Sequence, residues 1–210
     1  MEMRERFRGY LPVTVDLETG GFDNQNNPIL EIACSFVAFT DEVLSISSQH
    51  SWIVSPFQGS TIEPASLKVT GINLDDPARN SIVEREALQA FFTLVRREMK
   101  QASCHRAILV AHNASFDHGF IKSACARTGI KRNPFHPFST IDTVGLCALA
   151  FGHTVLAETS RRAGFDFDDS RAHAASYDAE RTAELFCRIV NIWPYTNPQP
   201  GPVVPEQGGD

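Results

Sequence analysis

Five residues carry the chemistry this sequence can offer, and they lie far apart along it: Asp16 and Glu18 in VTVDLETGG, Asp117 in HNASFDH, and His173 and Asp178 in HAASYD. In an extended chain side chains alternate, so Asp16 and Glu18 share one face with Thr14 while Val13, Val15 and Leu17 share the other. Adjacent carboxylates repel each other unless a cation lies between them or one holds a proton. A divalent cation satisfies such a pair, and so does a salt bridge to Arg or Lys. Asp117 follows an apolar strand where a helix begins, which suits either a site residue or a helix cap. Asp178 leads the apolar stripe of Leu185, Phe186 and Ile189 by about two turns, so its carboxylate points at the sheet or stands at the stripe's solvated edge.

Four carboxylates converging on one point need counter-charge, and hard oxygen donors in that number suit Mg²⁺ or Mn²⁺ better than zinc. Two such ions make a clamp for phosphoryl chemistry, one activating the attacking water and the other steadying the leaving oxygen. His173 ends the polar run DFDDSRA and precedes Asp178 closely enough to swing over a site that Asp178 helps to build. A histidine titrating near neutrality can take the proton from the attacking water. Without the acids the same histidine reads as a cap or surface residue. His112, at a strand end, fits the orientation of a loop. A different scheme makes His112, Asp117 and His118 the ligands of a transition metal in a small-molecule phosphohydrolase and leaves Asp16, Glu18 and His173 idle.

The elements that position these residues follow from period and punctuation. Extended segments are expected at 10–18, 29–39, 49–55, 106–112 and 138–144. Helices are expected over 81–100, from 113 to about 129, and at 143–151, 154–163 and 173–192. Leu88, Phe91, Phe92, Val95 and Met99 recur at three- and four-residue steps and form a core stripe. Strands first, then helices interleaved with strands, predict an α/β domain: a central mixed five-stranded sheet flanked by helices, with the first strand in the middle. Ligands gather at the carboxyl ends of strands in such sheets, which is where Asp16 and Glu18 fall.

A chain of 210 residues suits one domain, expected over 1–193, followed by a Pro/Gly-rich tail at 194–210 that composition marks as disordered. No apolar run approaches the roughly 20 residues that cross a bilayer, so no membrane partner is expected. The five cysteines lack any C-x-x-C spacing and read as reduced thiols in a cytoplasmic protein. A net charge of −6 does not advertise nucleic acid, yet basic residues bunch at Arg4, Arg6 and Arg8, at Arg96, Arg97, Lys100 and Arg106, and at Lys131 and Arg132.

Taken together, DLE, NASFD and the His-x4-Asp of HAASYD resemble the DEDDh class of 3′ to 5′ exonucleases, within the ribonuclease H-like fold. RFRGYLPVTVDLETGGF, VAHNASFDH and KRNPFHPFSTIDT extend the similarity, which runs from about Arg6 to about Asn191, to an RNA-trimming branch of that class. The resemblance implies that Asp16, Glu18, Asp117 and Asp178 bind two Mg²⁺, with Mn²⁺ an acceptable replacement, and that His173 is the base. It implies that Phe22, Phe116 and Phe138 wedge the terminal bases of a single strand, a stacking worth about 1–3 kcal/mol per base. It also implies a homodimer in which Arg6, Arg8, Lys100, Arg106 and Lys131 of one subunit hold RNA at the other's active site. The expected substrates are short single-stranded 3′ ends of tRNA and other stable RNAs, and single-stranded DNA. The chain departs from the family at Val69, where another phenylalanine wedge is expected, and at Ala65, where a base-contacting glutamate is expected. Other readings are an oligoribonuclease or proofreading subunit, and a non-catalytic RNA-binding module.

Overall fold

The computed structural model describes residues 2–193; the tail expected at 194–210 lies outside the described residues. Strand β1 (Tyr10–Thr19) is followed by β2 (Ile29–Thr40) and β3 (Val43–Ser55), then a short helix α1 (Pro64–Thr70). The two-residue strand β4 (Ile82–Val83) leads into α2 (Glu84–Gln101), β5 (Arg106–Ala111), α3 (Ala114–Thr128) and β6 (Phe135–Asp142). Helices α4 (Thr143–Phe151), α5 (Leu156–Arg162) and α6 (Ala175–Ile192) complete the described chain.

The strand order is β4-β3-β2-β1-β5-β6, a mixed sheet with β1 near its middle. β2 runs antiparallel to β1 and β3, whereas β5 runs parallel to β1 and β6. The sheet therefore has six strands where five are expected. The extra one, β4, pairs Ile82 and Val83 with Val54 and Ser55 and sits where the helical pattern of 81–100 begins.

Register shows which helix covers which face. Leu17 pairs with Ile32 and Ile32 with Trp52, and the Trp52 ring lies 5.6 Å from that of Phe91 on α2. That row and its face belong to α2. Asp16 pairs with Ala33, one residue along and so on the opposite face, and Ala33 packs against Ala175 and Ala179 of α6. Three alanines let α6 approach the sheet closely beside Asp16, and Asp178 lies between the two on that helix. β3 starts at Val43, not at 49, because Asp41 and Glu42 (φ 50° and 66°) turn a tight hairpin. The five cysteines are free and buried.

Candidate active site

Asp16, Glu18 and Asp178 offer carboxylate oxygens that all lie within 4.8 Å of one another. β1 brings the first two as alternate residues near its carboxyl end; the first turn of α6 brings the third. Asp117, in the first turn of α3, is 3% exposed, and its Oδ1 accepts the Leu17 N–H at 3.1 Å. That bond inserts Asp117 beside the backbone linking Asp16 to Glu18. It is not a cap: Asn113 holds the N-cap position, and Asp142 accepts the N–H groups of Asn113 and Ala114.

The four acids are crowded and poorly compensated. Burial, then the charges of Asp117, Glu18, Asp178 and Glu31, push the Asp16 carboxyl well above the usual carboxylate range. Burial and neighbouring acids push Glu18 up to about 8, and burial does the same for Asp117. Burial raises Asp178 too, opposed by the His173 N–H, which donates to Asp178 Oδ2 at 3.0 Å. Asp178 Oδ1 is buried and has no hydrogen-bond partner. No salt bridge to Arg or Lys joins these four among the described residues. An orphaned carboxylate oxygen aimed into a cluster of hard donors fits a divalent cation.

His173 is exposed, adopts a left-handed backbone (φ 65°) and precedes α6 by two residues. It shares with Leu17, Glu18, Thr19, Phe22 and Phe116 a cavity of about 300 Å³, whose other wall is α1 with Ala65, Ser66, Val69 and Thr70. Phe22 is 81% exposed and meets Phe116 edge to face at 6.1 Å. Its loop is held to α3, where Ser123 Oγ donates to Asn24 Oδ1 at 2.8 Å. An exposed aromatic ring on a pinned loop offers a face on which a base can stack.

Other expected residues lie apart from this cavity. Phe138 is 80% exposed and packs edge to face on His136 at 4.4 Å, outside the cavity lining. Arg8 lies over Tyr10 at the start of β1, and Arg106 pairs with Tyr10 across the sheet. Lys100 and Lys131 are exposed, at the end of α2 and in the connection to β6, and Arg6 is half-buried ahead of β1. His112 cannot serve the alternative metal scheme as it stands, because Thr143 Oγ1 (3.0 Å) and the Thr154 carbonyl (2.8 Å) occupy its two ring nitrogens. It orients the 152–155 connection.

The sequence profile of the Exonuclease family (RNase_T) matches residues 13–186. The chain belongs to this family and is a metal-dependent 3′–5′ exonuclease. Its relatives include ribonuclease T of Shewanella putrefaciens, 49% identical over 193 residues that cover 91% of this chain and 86% of that protein. Ribonuclease T of Shewanella oneidensis is 48% identical and covers 91% and 87%. In structure the chain is similar to a 3′-exonuclease that recognises a histone mRNA stem-loop (TM-score 0.68, 17% identity, 87% of this chain and 83% of that one). It is also similar to E. coli exonuclease I with a dT13 oligonucleotide (TM-score 0.65, 15% identity, 85% and 40%). The ribonuclease H-like fold expected from the sequence holds.

Proposed function

We propose that this exonuclease trims short single-stranded 3′ ends of tRNA and other stable RNAs in the cytoplasm, accepts single-stranded DNA, and works as a homodimer. The observation that carries the reading is the acid cluster opening beside a stacking cavity. Asp16, Glu18, Asp117 and Asp178 would hold two Mg²⁺, or Mn²⁺ in their place. Bound there, the ions would supply charge neutralisation and polarisation of the scissile phosphate.

The chain's own residues do the rest. Phe22 and Phe116 receive the terminal base by stacking, with Phe138 meeting the strand further along. His173 takes a proton from the attacking water as its oxygen bonds to phosphorus and the bond to the preceding O3′ breaks. A nucleoside monophosphate leaves, and the shortened strand keeps a 3′ hydroxyl. Arg6, Arg8, Lys100, Arg106 and Lys131 neutralise the backbone of the incoming RNA. Similarity to ribonuclease T at 49% identity supports the RNA assignment.

The test uses tRNA carrying a single-stranded 3′ tail and a 5′ label, with Mg²⁺ present. The expected product is a ladder that shortens from the 3′ end and stops near the duplex. Chelator ends the reaction, and His173→Ala lowers the rate by about 10²- to 10⁴-fold while binding survives. Binding without shortening would identify a non-catalytic RNA module, and strong preference for dinucleotides an oligoribonuclease.

A further inference from the structure

We propose that Glu31 and Arg79 form a positioning pair that fixes the turn bearing His173 against the acid cluster. The inference rests on the exonuclease reading above and concerns two residues that the reading leaves unused. Glu31 pairs with Glu18 across the β1–β2 ladder, so its side chain stands on the same face as the acids. This fifth carboxylate adds to the repulsion on Asp16 and Glu18, and burial raises its own carboxyl, opposed by the charge of Arg79. The charge of Arg79 and the N–H of Ala175, at the start of α6, both favour the charged form of Glu31. Arg79 Nη2 donates to the Leu30 carbonyl, next to Glu31, at 2.7 Å.

Glu31, Arg79, His173 and Ala174 line a second cavity of about 320 Å³, which shares His173 and Thr70 with the stacking cavity. His173 thus stands as a partition between the two. Its left-handed backbone is uncommon for a residue with a side chain and has to be held by its surroundings. Asp178 Oδ2 accepts the His173 N–H, and Glu31 stands in the wall of the same cavity as His173 and Ala174. Arg79 lines that cavity too, and its charge favours an ionised Glu31 there. Neither residue touches a reacting atom. They act by aiming the His173 ring.

The experiment measures kcat and KM on a 5′-labelled single-stranded RNA across a Mg²⁺ titration, with melting temperatures as a fold check. Glu31→Ala lowers kcat by about 10- to 100-fold and leaves KM within about twofold, the pattern of a misplaced catalytic group. Glu31→Gln, which keeps a carbonyl for the Ala175 N–H, recovers to within about threefold of the parent. Arg79→Ala falls like Glu31→Ala, and the double variant is about as active as either single one, because the two act as a unit. Equal losses in Glu31→Ala and Glu31→Gln, a rise in KM alone, or multiplying losses in the double variant would each overturn the proposal. So would recovery of Glu31→Ala at high Mg²⁺, which would make Glu31 a metal ligand. If Glu31→Ala does not fold, Arg79→Ala with unchanged kcat overturns it alone. Asp16→Asn separates the two readings: activity surviving there sinks the exonuclease site itself, whereas a dead Asp16→Asn beside a fully active Glu31→Ala sinks only the pair.

Discussion

At the scale of single residues, the site is a cluster of acids whose charged forms the folded chain does not favour by itself. Glu18 and Asp117 are pushed up to about 8. An ordinary carboxylate titrates near about 4, so at intermediate pH the folded chain holds protons that the unfolded chain has released. Their contribution to stability is therefore full below about pH 4 and is lost as pH rises towards about 8. In chelator, the melting temperature is expected to fall as pH is raised across that window. Mg²⁺ should flatten the fall, and Glu18→Gln should remove part of it. A melting temperature that is independent of pH in chelator would show that the acids are not crowded. Phe22→Ala is expected to raise KM for single strands by about 5- to 100-fold through the lost stacking, with melting unchanged because the ring is 81% exposed.

At the scale of elements, function depends on how closely α6 approaches the sheet. Ala33, Ala175 and Ala179 form a small, fully buried contact of their own, so a bulkier side chain there is expected to push the helix, and Asp178 with it, off the sheet. Ala179→Leu is expected to cost about 1–3 kcal/mol of stability and to depress activity well beyond the fraction unfolded. Full activity in a folded Ala179→Leu protein would contradict that geometry. The sequence announces α6 through its apolar stripe, β1 through its apolar run, and the acids through their positions on both. It does not announce α1, because seven residues carry no readable period, although Pro64 at its first turn and Gly71 (φ 69°) at its end mark it in retrospect. The first half of β3 alternates exposed residues with buried or half-buried ones, and its polar serines make it read as a loop. Glu31 is hidden for a different reason: an acid in ILEIACSF says nothing of which residue faces it until the register with β1 is known. Phe138 illustrates the converse, since a motif names it while only the fold shows that it stands on His136, away from the stacking cavity.

At the scale of the molecule, the basic and acidic ends of β1 face away from each other. Arg8 precedes the strand and Glu18 nearly ends it, which at about 3.3 Å per residue separates them by roughly 30 Å. The proposed homodimer, with one subunit's patch at the other's site, would reconcile a net charge of −6 with a polyanionic substrate. A chain carrying Arg8→Ala with Arg106→Ala and a chain carrying Asp16→Asn are each expected to be weak alone. Refolded together they should regain activity, because the mixed dimer holds one site with intact acids and an intact opposing patch. Failure to regain it would place patch and acids in the same subunit.

An acid cluster built to bind hard divalent cations takes them up in exchange for protons. Calorimetric titration of the purified protein with Mn²⁺ near neutral pH, repeated in buffers of different ionisation enthalpy, measures both quantities at once. Saturable binding with net proton release, lost in Asp16→Asn and Asp178→Asn, is the predicted result. No binding, or binding that releases no protons and is indifferent to both substitutions, would contradict it.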